Sequence, residues 1–146
     1  MASAKDFLND AEKDTVVSAI RTAEATTSGE IRVHIDDRCD EEVLDRAVKV
    51  FHHLRMDKTV FRNGVLIYIA VKDKQFAVIG DEAIHKKVDD DCWKNISHQL
   101  HTDFKNEQAH HGILKAIDTI GKTLSAYFPD IDKLDRNELP DDISFE

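Results

Sequence analysis

Asn63-Gly64-Val65-Leu66-Ile67-Tyr68-Ile69-Ala70-Val71 decides the fold. Asn-Gly is a strong turn signal. The apolar run that follows is far too short to cross a bilayer and too continuous for a strand with one wet face. Such continuity fits a strand covered on both sides, which is the α/β arrangement. Downstream, Lys72-Asp73-Lys74 makes a short turn, Gln75-Phe76-Ala77-Val78-Ile79 returns as an antiparallel partner, and Gly80 ends it. Upstream, Ile31, Val33 and Ile35 alternate with Arg32, His34 and Asp36, the pattern of an earlier strand. Between these strands, residues 41–56 carry Leu44, Ala47, Val48, Phe51 and Leu54 as a helical stripe, with Asp40 placed to cap it. A strand–helix–strand crossover makes the first two strands parallel and right-handed.

Helices fill the rest. Residues 8–27 place Leu8, Ala11, Val16, Ala19, Ile20 and Ala23 at near-helical spacing, and Thr26-Thr27-Ser28-Gly29 stops them, with glycine as a left-handed exit. Asp81 opens a short segment to Val88. Asp89 or Asp90 caps a helix to about Phe104, whose inner face holds Trp93, Ile96 and Leu100. A last helix covers 108–127, with Pro129 beyond its end. The expected fold is α/β: a small mixed β-sheet with helices on both faces, a three-layer α/β/α sandwich. Residues 1–128 form the domain, and 129–146 form an acidic C-terminal strap or tail of it. Three strands are readable, and a fourth would have to lie in a segment read as loop.

The chain has 146 residues, enough to bury a core without disulfides, and only seven of them are glycine or proline. Its net charge is −9, and residues 130–146 hold seven acids against two bases. That balance repels phosphate backbones, so no nucleic-acid partner is expected. Met1-Ala2-Ser3-Ala4-Lys5-Asp6 has charges where a signal peptide has its apolar stretch. The expectation is a cytoplasmic protein without membrane insertion. Cys39 and Cys92 are too few for a disulfide scaffold.

The topology also locates chemistry. Strand one begins near Glu30, strand two near Gly64, and strand three ends at Gly80-Asp81. Glu30, Asn63, Asp81 and the run Asp89-Asp90-Asp91 therefore converge on one sheet edge, with Asp36 and Asp37 at the other. Carboxylates, an amide and loop carbonyls make a hard-oxygen site suited to calcium or magnesium, and a cation would relieve their repulsion. The same residues have a plainer reading: Asp81 and Asp89 or Asp90 as helix caps, Glu30 as an edge residue, Asn63-Gly64 as a turn. His52-His53, His98, His101, His110 and His111 form no zinc-ligand pattern. Cys39 lies in an acidic loop that would raise its thiol pKa, and no nucleophile elbow or phosphate loop is present. A metal-dependent phosphatase would use Asp81 and Asp89 on the cation and Glu30 as base. Arg62, Lys86 and Lys87 are its candidates for a phosphate clamp.

The stretch from Ala19-Ile20-Arg21-Thr22-Ala23-Glu24 through Thr27-Ser28-Gly29-Glu30-Ile31-Arg32-Val33 resembles the opening of the TPM domain family. Asn63-Gly64-Val65-Leu66-Ile67-Tyr68 resembles its second strand, and Ile79-Gly80-Asp81-Glu82-Ala83-Ile84 its third-strand exit. The similarity spans roughly residues 12–125 and is strongest to small soluble bacterial members that end like Phe128-Pro129 and Asn137-Glu138-Leu139-Pro140-Asp141. Other members include a thylakoid-lumen protein linked to photosystem II repair and a nematode modulator of acetylcholine receptors. The resemblance implies an α/β sandwich, divalent-cation binding in an acidic cleft, and acid-phosphatase activity as claimed for plant members. Carried over by position, the cleft draws on Glu30, Asn63, Asp81 and Asp89, with Asp90 as the alternative. The partners so implied are a divalent cation and, if the role is assembly, a protein. Many relatives carry a leader and a membrane anchor, neither of which is expected from these residues, and the third-strand exit here has an extra acid pair and no second glycine.

Overall fold

A computed structural model describes residues 3–129 and 143–145. Of the expected acidic strap, positions 130–142 and 146 lie outside the described residues. The order of elements is α1 (Asp10–Glu24), β1 (Glu30–Asp36), α2 (Val43–His53), a 3-10 turn (Met56–Lys58), β2 (Gly64–Ala70), β3 (Gln75–Gly80), α3 (Glu82–His85), α4 (Asp90–Lys105), α5 (Ala109–Tyr127) and β4 (Ile143–Phe145).

The apolar run predicted as a doubly covered strand is β2, all of whose residues are buried. It lies inside a sheet ordered β3-β2-β1-β4. β1 runs parallel to it, from Glu30 opposite Gly64 to Asp36 opposite Ala70. β3 returns antiparallel. Alternation along the strands divides the core in two. Ile31, Val33, Ile35, Val65, Ile67 and Ile69 pack with α1, α4 and α5, through residues such as Ile20, Leu100 and Ile117. Leu66, Tyr68 and Ala70 pack with Ala47, Val50 and Phe51 of α2 and with Met56. The sheet is therefore mixed and covered on both faces, as an α/β/α sandwich requires.

Several local readings change. The fourth strand, β4, pairs parallel with the outer side of β1, with Ser144 opposite His34. Three residues are too short for a period to be visible. Gly29 is not a left-handed exit, since no described glycine has positive φ. A Cβ at Gly29 would stand 2.8 Å from a methyl of the buried Leu124, so glycine is needed there for close packing of α5 on the chain entering β1. The turn before β2 is made earlier than Asn63-Gly64: Arg62 takes the left-handed backbone, at φ 52°, and Gly64 is already the first residue of the strand. Glu42, not Asp40, caps α2, its carboxylate accepting from Asp45 N at 3.0 Å.

Candidate functional site

The two ends of the central strands carry different chemistry. At the end where β1 and β2 begin, Glu30 stands opposite Gly64, and the Asp81 amide donates to the Gly64 carbonyl at 2.8 Å. Glu30, Gly64 and Asp81 thus form one row across three strands, and Asn63 lies just before it. All three polar residues are buried, Asp81 at 7% exposure. Asn63 Nδ2 donates to Ser28 Oγ at 3.2 Å, while its buried Oδ1 accepts nothing from the described residues. The structure brings these three sequence-predicted residues together because parallel pairing aligns the strand starts.

Asp81 has a strong partner. Arg62 donates to both of its oxygens, from Nε at 2.7 Å and from a terminal nitrogen at 2.9 Å. The same carboxylate accepts from Glu82 N at 2.8 Å and so caps α3. Glu82 lies 3.8 Å from the guanidinium. The hydrogen bonds that Arg62 donates to Asp81, aided by the charges of Asp81, Glu82 and Asp57, push the Arg62 pKa up from its ordinary value. Asp57 escaped the sequence reading because its approach to Arg62 depends on the fold of the 56–62 loop. From the sequence, Arg62 reads as a solvated surface residue or a phosphate clamp, and the structure instead commits it to Asp81.

Asp89 and Asp90 lie one short helix further on. Asp89 caps α4 by accepting from Cys92 N at 3.3 Å. Asp90 is exposed, with Oδ1 3.8 Å from His85 Nε2. Among the described residues, no three His, Cys, Asp or Glu side chains stand close enough together to hold a metal ion. Both cysteines are free and partly buried, and burial raises the Cys92 thiol pKa.

At the opposite end lies a buried polar network that the sequence did not reveal. Asp36 receives Tyr68 OH at 2.6 Å and Arg46 Nε at 2.9 Å on one oxygen, and His34 Nε2 lies 2.7 Å from the other. His34 Nδ1 is 3.1 Å from Ser144 Oγ. Burial pushes the Asp36 pKa up, but the hydrogen bonds from His34, Arg46 and Tyr68 outweigh it and hold the carboxyl well below the ordinary range. Burial and the Asp36 charge push the Tyr68 phenol up. Each polar atom of the cluster answers another, so the arrangement is that of a structural clasp. The alternation of β1 put His34 and Asp36 on one face. The contribution of Tyr68 was hidden because its neighbours make it read as core.

No described helix is long and apolar enough to cross a membrane. In comparison with known proteins, the TPM domain matches residues 2–123. The BA42 protein of the psychrophilic bacterium Bizionia argentinensis, solved by NMR, is 43% identical with all of each chain covered and a TM-score of 0.89. The N-terminal domain of a Porphyromonas protein (P. gingivalis) is 14% identical, covering 83% of this chain and 78% of that one, with a TM-score of 0.69. The N-terminal domain of the cg2496 protein of Corynebacterium glutamicum is 13% identical, covering 81% and 74%, with a TM-score of 0.59. The last two share the fold. No curated protein matches.

Proposed function

The chain belongs to the TPM domain family, and from that premise we propose that it is a binding domain whose sheet edge takes a divalent cation, calcium or magnesium. Glu30, Asn63 and Asp81 supply the inner oxygens, and Asp89 and Asp90 are the carboxylates at the rim. The role of the domain is binding or assembly.

One observation carries this reading. A buried carboxylate, Asp81, whose amide bonds the Gly64 carbonyl, is one residue in register from Asn63, whose buried Oδ1 accepts no hydrogen bond from the described residues. The Asp81 charge is offset by a guanidinium that is itself 41% exposed. The edge therefore already holds a positive charge, and an ion that bound Asp81 would have to displace Arg62. Two carboxylates and an amide are a partial set for a hard cation, and main-chain carbonyls and water would complete it. Phosphoester hydrolysis, the activity implied for plant relatives, is less favoured. Arg62, a candidate phosphate clamp, is engaged by Asp81.

The test is titration of the ¹⁵N-labelled chain with calcium chloride and with magnesium chloride. The amides of Asn63, Gly64 and Asp81 are expected to shift saturably. Asp81→Asn should abolish the response, and Arg62→Ala should tighten binding because the competing charge is gone. Spectra unchanged by millimolar amounts of either ion would remove the proposal. Equal turnover of a phosphomonoester by wild type and Asp81→Ala would separate this edge from any hydrolysis.

A further inference from the structure

Arg62 ends the loop that joins the 3-10 turn to β2, in a backbone region that residues with side chains rarely take, at φ 52°. Arg55, where the same segment begins, is also left-handed, at φ 60°. The two are held by different means. At Arg55 the backbone serves: its N–H donates to His52 O at 3.0 Å, and its carbonyl accepts from Lys58 N at 3.1 Å. At Arg62 one backbone bond, from Ala83 N to its carbonyl at 3.0 Å, is joined by the two side-chain bonds to Asp81. Strain of this kind persists where the surroundings over-determine it, and here much of that restraint is one ion pair.

The two halves of the loop differ in the same way. Asp57 ties the first half to α2, with Oδ2 3.2 Å from His52 Nδ1, and Thr59 after it is buried. Beyond Thr59, Val60 and Phe61 are 76% and 51% exposed, so burial does little to fix them. Asp81, by contrast, is anchored twice without Arg62. Its amide donates to Gly64 O at 2.8 Å, and its carboxylate accepts from Glu82 N at 2.8 Å. Asp81 is therefore the fixed half of the pair, and Arg62, 41% exposed, is the movable half.

We propose that the Arg62–Asp81 pair is a latch on residues 60–62, released when a divalent cation takes the Asp81 carboxylate. Such an ion must displace both guanidinium bonds, and Arg62 then loses the restraint that keeps it left-handed. Relaxation of its backbone toward an ordinary conformation re-aims Val60 and Phe61, the residues just before it. Ion binding at a buried edge is thereby reported at an exposed apolar tip. The trigger rests on the cation reading; the latch rests on the ion pair and the backbone alone.

¹⁵N relaxation of the full chain tests both. In ion-free wild type the Val60 and Phe61 amides should have order parameters of about 0.85, the value of rigid backbone. Asp81→Asn keeps an oxygen for the Glu82 amide but gives up the ion pair. With no ion present, that variant should bring both values below about 0.6 while β2 stays rigid. Saturating calcium chloride should do the same to wild type. If Asp81→Asn fails to fold, Arg62→Gln, at a partly exposed position, is read in its place with the same expectation. Rigid amides in the unlatched variant, or loose ones already in ion-free wild type, would overturn the latch whatever the ion does. Calcium shifts at Asn63 and Gly64 with Val60 and Phe61 still rigid would sink the coupling and leave the cation reading standing. A loose Asp81→Asn loop together with no calcium response in wild type would remove the cation trigger and support the latch.

Discussion

Asp36 shows how far three hydrogen bonds can oppose burial. Its folded pKa lies below the unfolded value of about 4, so its stabilisation is complete above that pH and is lost as pH falls toward the lowered value. Asp36→Asn should destabilise the fold at neutral pH by about 2–4 kcal/mol. Between pH 6 and pH 3, urea unfolding should show wild type losing more stability than the variant, by on the order of 1–2 kcal/mol. Gly29→Ala presses a methyl onto Leu124, which is fully buried, and should cost about 1–3 kcal/mol in the same measurement. At this scale the sequence was partly legible. Glu30, Asn63 and Asp81 could be brought together from strand order alone. The clamp of Arg62 on Asp81 could not, because it depends on a left-handed residue in an irregular loop. Tyr68 was opaque for a different reason: an aromatic ring in an apolar run hides its hydroxyl partner, which register alone supplies.

Among the elements, those with a clear period were readable, and their ends less so. The stripes Leu44–Leu54 and Trp93–Phe104 mark α2 and α4 because a face turned to the core repeats at helical spacing, although on α2 the buried residues are Ala47, Val50 and Phe51 while Leu44 and Val48 stay exposed. Their boundaries follow caps, and several acids compete for each: Glu42 displaces Asp40 at α2, while Asp89 takes the position at α4. Asp89→Ala should therefore lower the melting stability by about 1 kcal/mol through loss of the cap. If Asp89 acts only at the rim, the calcium response of the Gly64 amide should persist in that variant. β4 was unreadable because its pairing with β1 is set by contacts more than a hundred positions away. Native-state hydrogen exchange should find β2 the most protected strand and Ile143–Phe145 the least, since β4 is held by one neighbour over three residues.

For the whole molecule, the charge of −9 divides between the tail and a domain whose acids are unevenly used. Asp36 is enclosed by donors, Asp81 is clamped, and Asp90 is open to solvent. An acidic protein can thus hold buried carboxylates without excess repulsion, because the buried His34 and the partly exposed Arg46 and Arg62 are spent on them. The sheet has its own asymmetry. β3 lies between helices, while among the described residues the strand that flanks β1 on its other side is β4. That second flank bears on the order of events at the ribosome. His34 and Ser144 are 110 positions apart, so β1 and β2 are both synthesised before β4. During that interval a strand that ends up interior remains a sticky margin, and the nascent chain would be a natural client for a chaperone.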